Sequence, residues 1–80
     1  MTNDTRINNC IADALDMTQD EVEALPADAK LTECGMDSIH FVQMIVLFEE
    51  TLEIEILDSD LLIENFESKT KIAETLEKYF

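Results

Sequence analysis

Eighty residues with 19 acidic against 5 basic side chains give a formal net charge of −14, in a chain that is still 46% hydrophobic. That length suffices for one core and not for a second, which argues against a self-contained enzyme with a deep substrate pocket. The charge argues equally against nucleic acid and anionic membrane surfaces, because phosphate binding needs a clustered Lys/Arg footprint.

The N-terminal stretch MTNDTRINN is polar and lacks the basic-then-apolar order of a secretory signal. The longest apolar run, Met44 to Phe48, is five residues, whereas a membrane-crossing helix needs about 20. The expectation is a cytoplasmic, monomeric single domain over residues 1–80, with no membrane span. Cys10 and Cys34 form no metal-binding pattern and need no pairing in a reducing compartment, so both read as small buried hydrophobes. One Gly, one Pro and 6% aromatic residues lack the turn density of an all-β domain, which leaves an all-α fold.

From Thr5 to Leu15, Ile7, Cys10 or Ile11, Ala14 and Leu15 recur at three- and four-residue steps and predict a first helix with one buried stripe. The polar stretch from Asp16 to Glu33 contains Pro26 and reads as a long ordered loop, pinned to the core by Val22, Leu25 and Leu31. Gly35-Met36-Asp37-Ser38 ends that loop, with Asp37 placed as the N-cap of a second helix over residues 38–52. Phe41, Met44, Ile45, Phe48 and Leu52 form its core face, and Ile39, Gln43, Val46 and Glu50 an adjacent stripe. Almost every side of this helix carries an apolar residue, so its rotation is ambiguous from the sequence and Val46 fits the core as well as the surface. Glu53 to Leu57 alternates like a strand but has no partner strand, so it reads as a loop with inward isoleucines, Ile54 and Ile56. A short third helix around Ser59 to Glu64 and a last one from Ser68 to Phe80, with Ile72, Leu76, Tyr79 and Phe80 inward, complete the chain.

Charge is unevenly placed. Between Lys30 and Lys69 no basic residue occurs, while Glu33, Asp37, Glu49, Glu50, Glu53, Glu55, Asp58, Asp60, Glu64 and Glu67 contribute ten carboxylates. Such crowding either keeps the protein soluble or docks basic partners, and it opposes folding by self-repulsion. Ser38 and His40 do not make a nucleophile and base, because residues two apart on a helix point to roughly opposite sides. Asp58-Ser59-Asp60 with Glu64 lacks the glycine and the spacing of a calcium loop.

What remains is Gly35-Met36-Asp37-Ser38-Ile39, a serine at a loop-to-helix junction. The segment resembles the G-x-D-S-[LI] motif of phosphopantetheine-binding carrier proteins, the acyl and peptidyl carriers of fatty acid, polyketide and nonribosomal peptide synthesis. The length, the acidity, the order of helices, the Glu49-Glu50 pair and Ile54-x-Ile56 agree with it, over Ile7 to Tyr79. The resemblance implies an acyl-carrier-like bundle of three to four helices with a long loop between the first and second. It assigns Ser38 as the attachment point of 4′-phosphopantetheine, transferred from coenzyme A by a separate Mg²⁺-dependent phosphopantetheinyl transferase. Asp37 would help hold that Mg²⁺. Ser38 is then a substrate and not a catalyst, and the chain is no enzyme.

Partners of the family dock along the second helix and the loop before it, which here implies Met36, Ile39, Gln43, Val46, Glu49 and Glu50. Those partners are an adenylating or acyl-loading enzyme and downstream synthase or tailoring enzymes. His40 and Gln43 stand where fatty acid synthase carriers are commonly acidic, which favours a stand-alone carrier of a nonribosomal peptide, polyketide or other specialised pathway. A fatty acid carrier, a D-alanyl carrier and, from another class, an unmodified acidic helical adaptor are the alternatives.

Overall fold

A computed structural model describes residues 3–80; Met1 and Thr2, the start of the polar N-terminal stretch, lie outside the described residues. Four α-helices occur in the order α1 (Asn3–Leu15), α2 (Gln19–Ala24), α3 (Ser38–Leu52) and α4 (Lys69–Glu77), with 3₁₀ turns at Leu31–Cys34, Asp58–Asp60 and Ile63–Phe66. Among the described residues there is no strand, and residues 53–57 are a loop as the missing partner strand requires. The architecture is the expected acyl-carrier-like helical bundle, and α3 begins and ends at the residues that the sequence pattern marks.

Each helix start has a local cause. Asp37 caps α3 by accepting the backbone N–H of His40 at 2.9 Å, and Ser68 caps α4 by accepting that of Lys71 at 3.1 Å. α2 is a correction: the segment expected to be loop folds into a helix around a capping box. The Glu21 N–H donates to the Thr18 hydroxyl at 3.1 Å, and the Thr18 N–H donates to the Glu21 carboxylate at 3.0 Å. That pairing satisfies two orphan amides and holds the Glu21 carboxyl below its usual range. The third helix expected near Ser59 is likewise replaced by two 3₁₀ turns, too short to propagate as α-helix.

α1 and α3 run antiparallel, since the Cys10 thiol donates to the Leu47 carbonyl at 3.6 Å while Asp13 and Ala14 lie beside Val42 and Gln43. Between them Ile7, Cys10, Ile11, Ala14 and Leu15 meet Met44, Ile45, Phe48 and Leu52 in one core. Cys10 is buried there, which pushes its thiol pKa up, whereas Cys34 is only half-buried; both are free thiols. The long connection is closed onto this core by Val22 and Leu31, both fully buried. Two backbone bonds fasten it to the region around α4: Leu31 N–H to Glu67 O at 2.7 Å and Thr70 N–H to Ala27 O at 3.0 Å. Phe66 fills the opposite side, with its ring centroid 5.6 Å from Phe41 and 6.2 Å from Phe48. Burying a side chain of this size stabilises the fold by about 1.5–3 kcal/mol. Phe80 departs from expectation: it lies beyond the end of α4 at Glu77 and is 56% exposed, whereas Tyr79 packs against the core as expected.

Candidate functional site

The start of α3 is built from a sharp turn. Gly35, at φ 101°, takes the left-handed conformation that ends the Leu31–Cys34 turn, and the Met36 N–H bonds to the Leu31 carbonyl at 3.1 Å. The Met36 side chain then drops into the core. Asp37 is extended, at φ −109° and ψ −171°, and Ser38 is the first helical residue, with its side chain exposed.

Asp37 Oδ1 accepts two hydrogen bonds from His40, one from the backbone N–H at 2.9 Å and one from ring Nδ1 at 2.7 Å. The backbone bond, then the ring, holds the Asp37 carboxyl below the ordinary carboxylate range. Asp37 is therefore an ionised cap at neutral pH, and the His40 imidazole is turned to Asp37.

Ser38 thus presents a hydroxyl at a helix N-terminus, where the positive end of the helix dipole favours a phosphate and the Asp37 carboxylate, which already takes the His40 N–H, partly offsets that gain. A Cβ placed on Gly35 would meet nothing within 4 Å, so no side chain crowds the turn at that residue. The residues present fit a covalently attached phosphodiester: an accessible nucleophilic oxygen and one adjacent carboxylate able to share a divalent cation during attachment.

The expected docking residues divide. Ile39 is 67% and Val46 45% exposed, and Gln43 and Glu50 are exposed as well. Met36 is a correction: at 3% exposure it belongs to the core, because the Gly35 turn directs it inward, and it offers no surface contact. Glu49 is half-buried, and its Oε2 accepts the Ile56 N–H at 3.0 Å, so it braces the loop after α3. Phe41, expected in the core face, is half-buried against Phe66. Val42, absent from the expected set, is 59% exposed and completes a stripe with Ile39 and Val46. The signal for it was the three- and four-residue spacing of Ile39, Val42 and Val46.

Farther along, Asp60 is engaged by the Lys78 ammonium at 2.7 Å and by the Tyr79 hydroxyl. Among the described residues no helix is long and apolar enough to cross a membrane. The family model described as "Phosphopantetheine attachment site" matches residues 5–77, nearly the whole chain.

Proposed function

We propose, on the premise that the chain belongs to this phosphopantetheine-attachment family and is a carrier of covalent 4′-phosphopantetheine, that Ser38 is the residue modified. The observation that carries this reading is the exposed Ser38 hydroxyl at the first residue of α3, beside the ionised Asp37. Asp37 would offer its carboxylate to the Mg²⁺ of the transfer, and the positive end of the α3 dipole would favour the attached phosphodiester.

The attached arm supplies a thiol that holds an acyl, aminoacyl or peptidyl group as a thioester. The chain's own residues carry out no turnover in this reading: they present the arm, and docking along α3 raises the effective concentration of its cargo for a partner enzyme. Ile39, Val42 and Val46 form the apolar part of the docking stripe, and Gln43 and Glu50 its polar flank. Val46 lies about 12 Å along the helix from Ser38. The partners are a phosphopantetheinyl transferase, a loading enzyme and downstream synthase or tailoring enzymes.

His40 and Gln43 in the early turns of α3 support a dedicated nonribosomal peptide, polyketide or other specialised pathway over fatty acid synthesis, since they leave fewer carboxylates to steer a basic partner. Intact mass spectrometry after incubation with coenzyme A, Mg²⁺ and a broad-specificity phosphopantetheinyl transferase tests the assignment. One added phosphopantetheine, absent from Ser38→Ala, is the expected result. No addition under conditions that modify an established carrier would move the reading to an unmodified acidic adaptor.

A further inference from the structure

α1 packs on α2 and α3, and α4 packs on the turn that precedes it, so a groove is left open between α1 and α4. Ala27, Ala73 and the edge of the largely buried Ile7 lie along it, Asp4, Glu74 and Glu77 place three carboxylates around it, and Phe80 stands at one end. Lys69 also borders the groove, but its ammonium donates to the Val22 carbonyl at 2.8 Å and reaches the Glu23 carbonyl at 3.5 Å. Its charge is thereby committed to the end of α2. Because α1 and α3 are antiparallel, Asp4 and Ile7 lie toward the end of α1 that packs near the C-terminal half of α3, away from Ser38.

We propose that this groove is a second docking surface, for a basic amphipathic helix of a partner protein. The occupant follows from the lining. An apolar floor between two helices accepts a ridge of aliphatic side chains spaced three and four residues apart. Lys or Arg side chains flanking that ridge meet Asp4, Glu74 and Glu77, and an Arg or Lys laid over the exposed Phe80 ring gains a cation–π contact. A neutral or acidic helix finds the same floor but an opposing rim. This groove leaves the surface around Ser38 uncovered, so a partner held there works at high effective concentration while α3 stays free. The inference goes beyond the attachment at Ser38 and does not depend on it.

The test is a titration of the ¹⁵N-labelled full chain with a synthetic helical peptide of alternating Leu and Arg faces, read by amide chemical shifts. A peptide of the same composition in scrambled order is run beside it. Shifts confined to the neighbourhood of Ile7, Ala73 and Phe80 are expected, with affinity reduced about tenfold or more in Glu74→Lys/Glu77→Lys. Glu55→Lys/Asp58→Lys, an equal charge change outside the groove, is expected to bind within about twofold of the parent. Phe80→Ala, at an exposed site that leaves the core intact, is a second variant expected to weaken binding. Equal binding of the scrambled peptide, equal losses in the two charge variants, or shifts centred on α3 would overturn the proposal.

Discussion

Leu57 and Tyr79, 22 residues apart, are joined by a hydrogen bond in which the Leu57 backbone N–H donates to the Tyr79 hydroxyl at 3.0 Å. That hydroxyl in turn donates to Asp60, which also pairs with Lys78. The loop leaving α3 is thus latched to the C-terminal end of α4 by one phenol and one carboxylate.

The latch predicts a pH-dependent stability difference between the parent and Asp60→Asn. Lys78, then Tyr79, lowers the Asp60 pKa from its ordinary 3.8. A carboxyl lowered in the folded state contributes stability that is complete above its unfolded value and lost as pH falls through the folded one. Lys78 is raised from 10.5 by Asp60, so its share is complete below that value and lost as pH rises through its folded pKa. Thermal melts of both proteins are expected to show the parent higher at neutral pH. The gap closes below about pH 4 and again above about pH 10.5. A gap that is constant across pH would mean the charges at Asp60 and Lys78 do not hold the latch.

Gly35 predicts a purely conformational cost. Nothing crowds a Cβ at this position, so the penalty of Gly35→Ala comes from forcing an L residue to φ 101°. About 1–2 kcal/mol should be lost in urea unfolding. Gly35→Asn should lose less, because Asn tolerates the left-handed region. Equal losses for the two would point to a side-chain clash instead.

Sequence pattern made α3 readable to the residue because two strong signals coincide there: an Asp at the cap and a dense apolar period behind it. α2 was obscured because its one buried residue, Val22, sits among Asp20, Glu21 and Glu23, and a single anchor gives no period. Only the Thr18-x-x-Glu21 spacing marked it. Met36 could not be assigned from pattern, since it lies between two helical turns and its inward direction is set by the Gly35 backbone. The exposure of Ser38 was legible from its place after the Asp37 cap, whereas its candidacy as an attachment point came from the resemblance of Gly35-Met36-Asp37-Ser38-Ile39 to the carrier motif.

Charge crowding predicts a salt response. The stretch between Lys30 and Lys69 carries ten carboxylates and no Lys or Arg of its own, although Asp60 reaches Lys78. Salt or Mg²⁺ at moderate concentration should therefore raise the melting temperature by screening them. For a domain of this size each kcal/mol of relief is worth about 4–8 °C. An unchanged or lower melting temperature on adding salt would show that the carboxylates are already far enough apart in water.

Met36 and Ile39 separate packing from docking within four residues of chain. Met36 is closed inside the core, so Met36→Ala removes buried methylenes and leaves a cavity, at a cost of about 2–5 kcal/mol. Ile39 stands in solvent one residue after Ser38, and Ile39→Ala should leave stability within about 0.5 kcal/mol of the parent. If α3 is the docking helix, the order reverses in function. Ile39→Ala should lower kcat/KM for the phosphopantetheinyl transferase about fivefold to thirtyfold, the effect of an interface side chain worth about 1–2 kcal/mol. Met36→Ala, assayed well below its own melting temperature, should remain close to the parent. Paired melting curves and transferase kinetics on the two variants decide it. A loss of kcat/KM confined to Met36→Ala would place the transferase contact in the turn before α3 and remove Ile39 from the docking stripe.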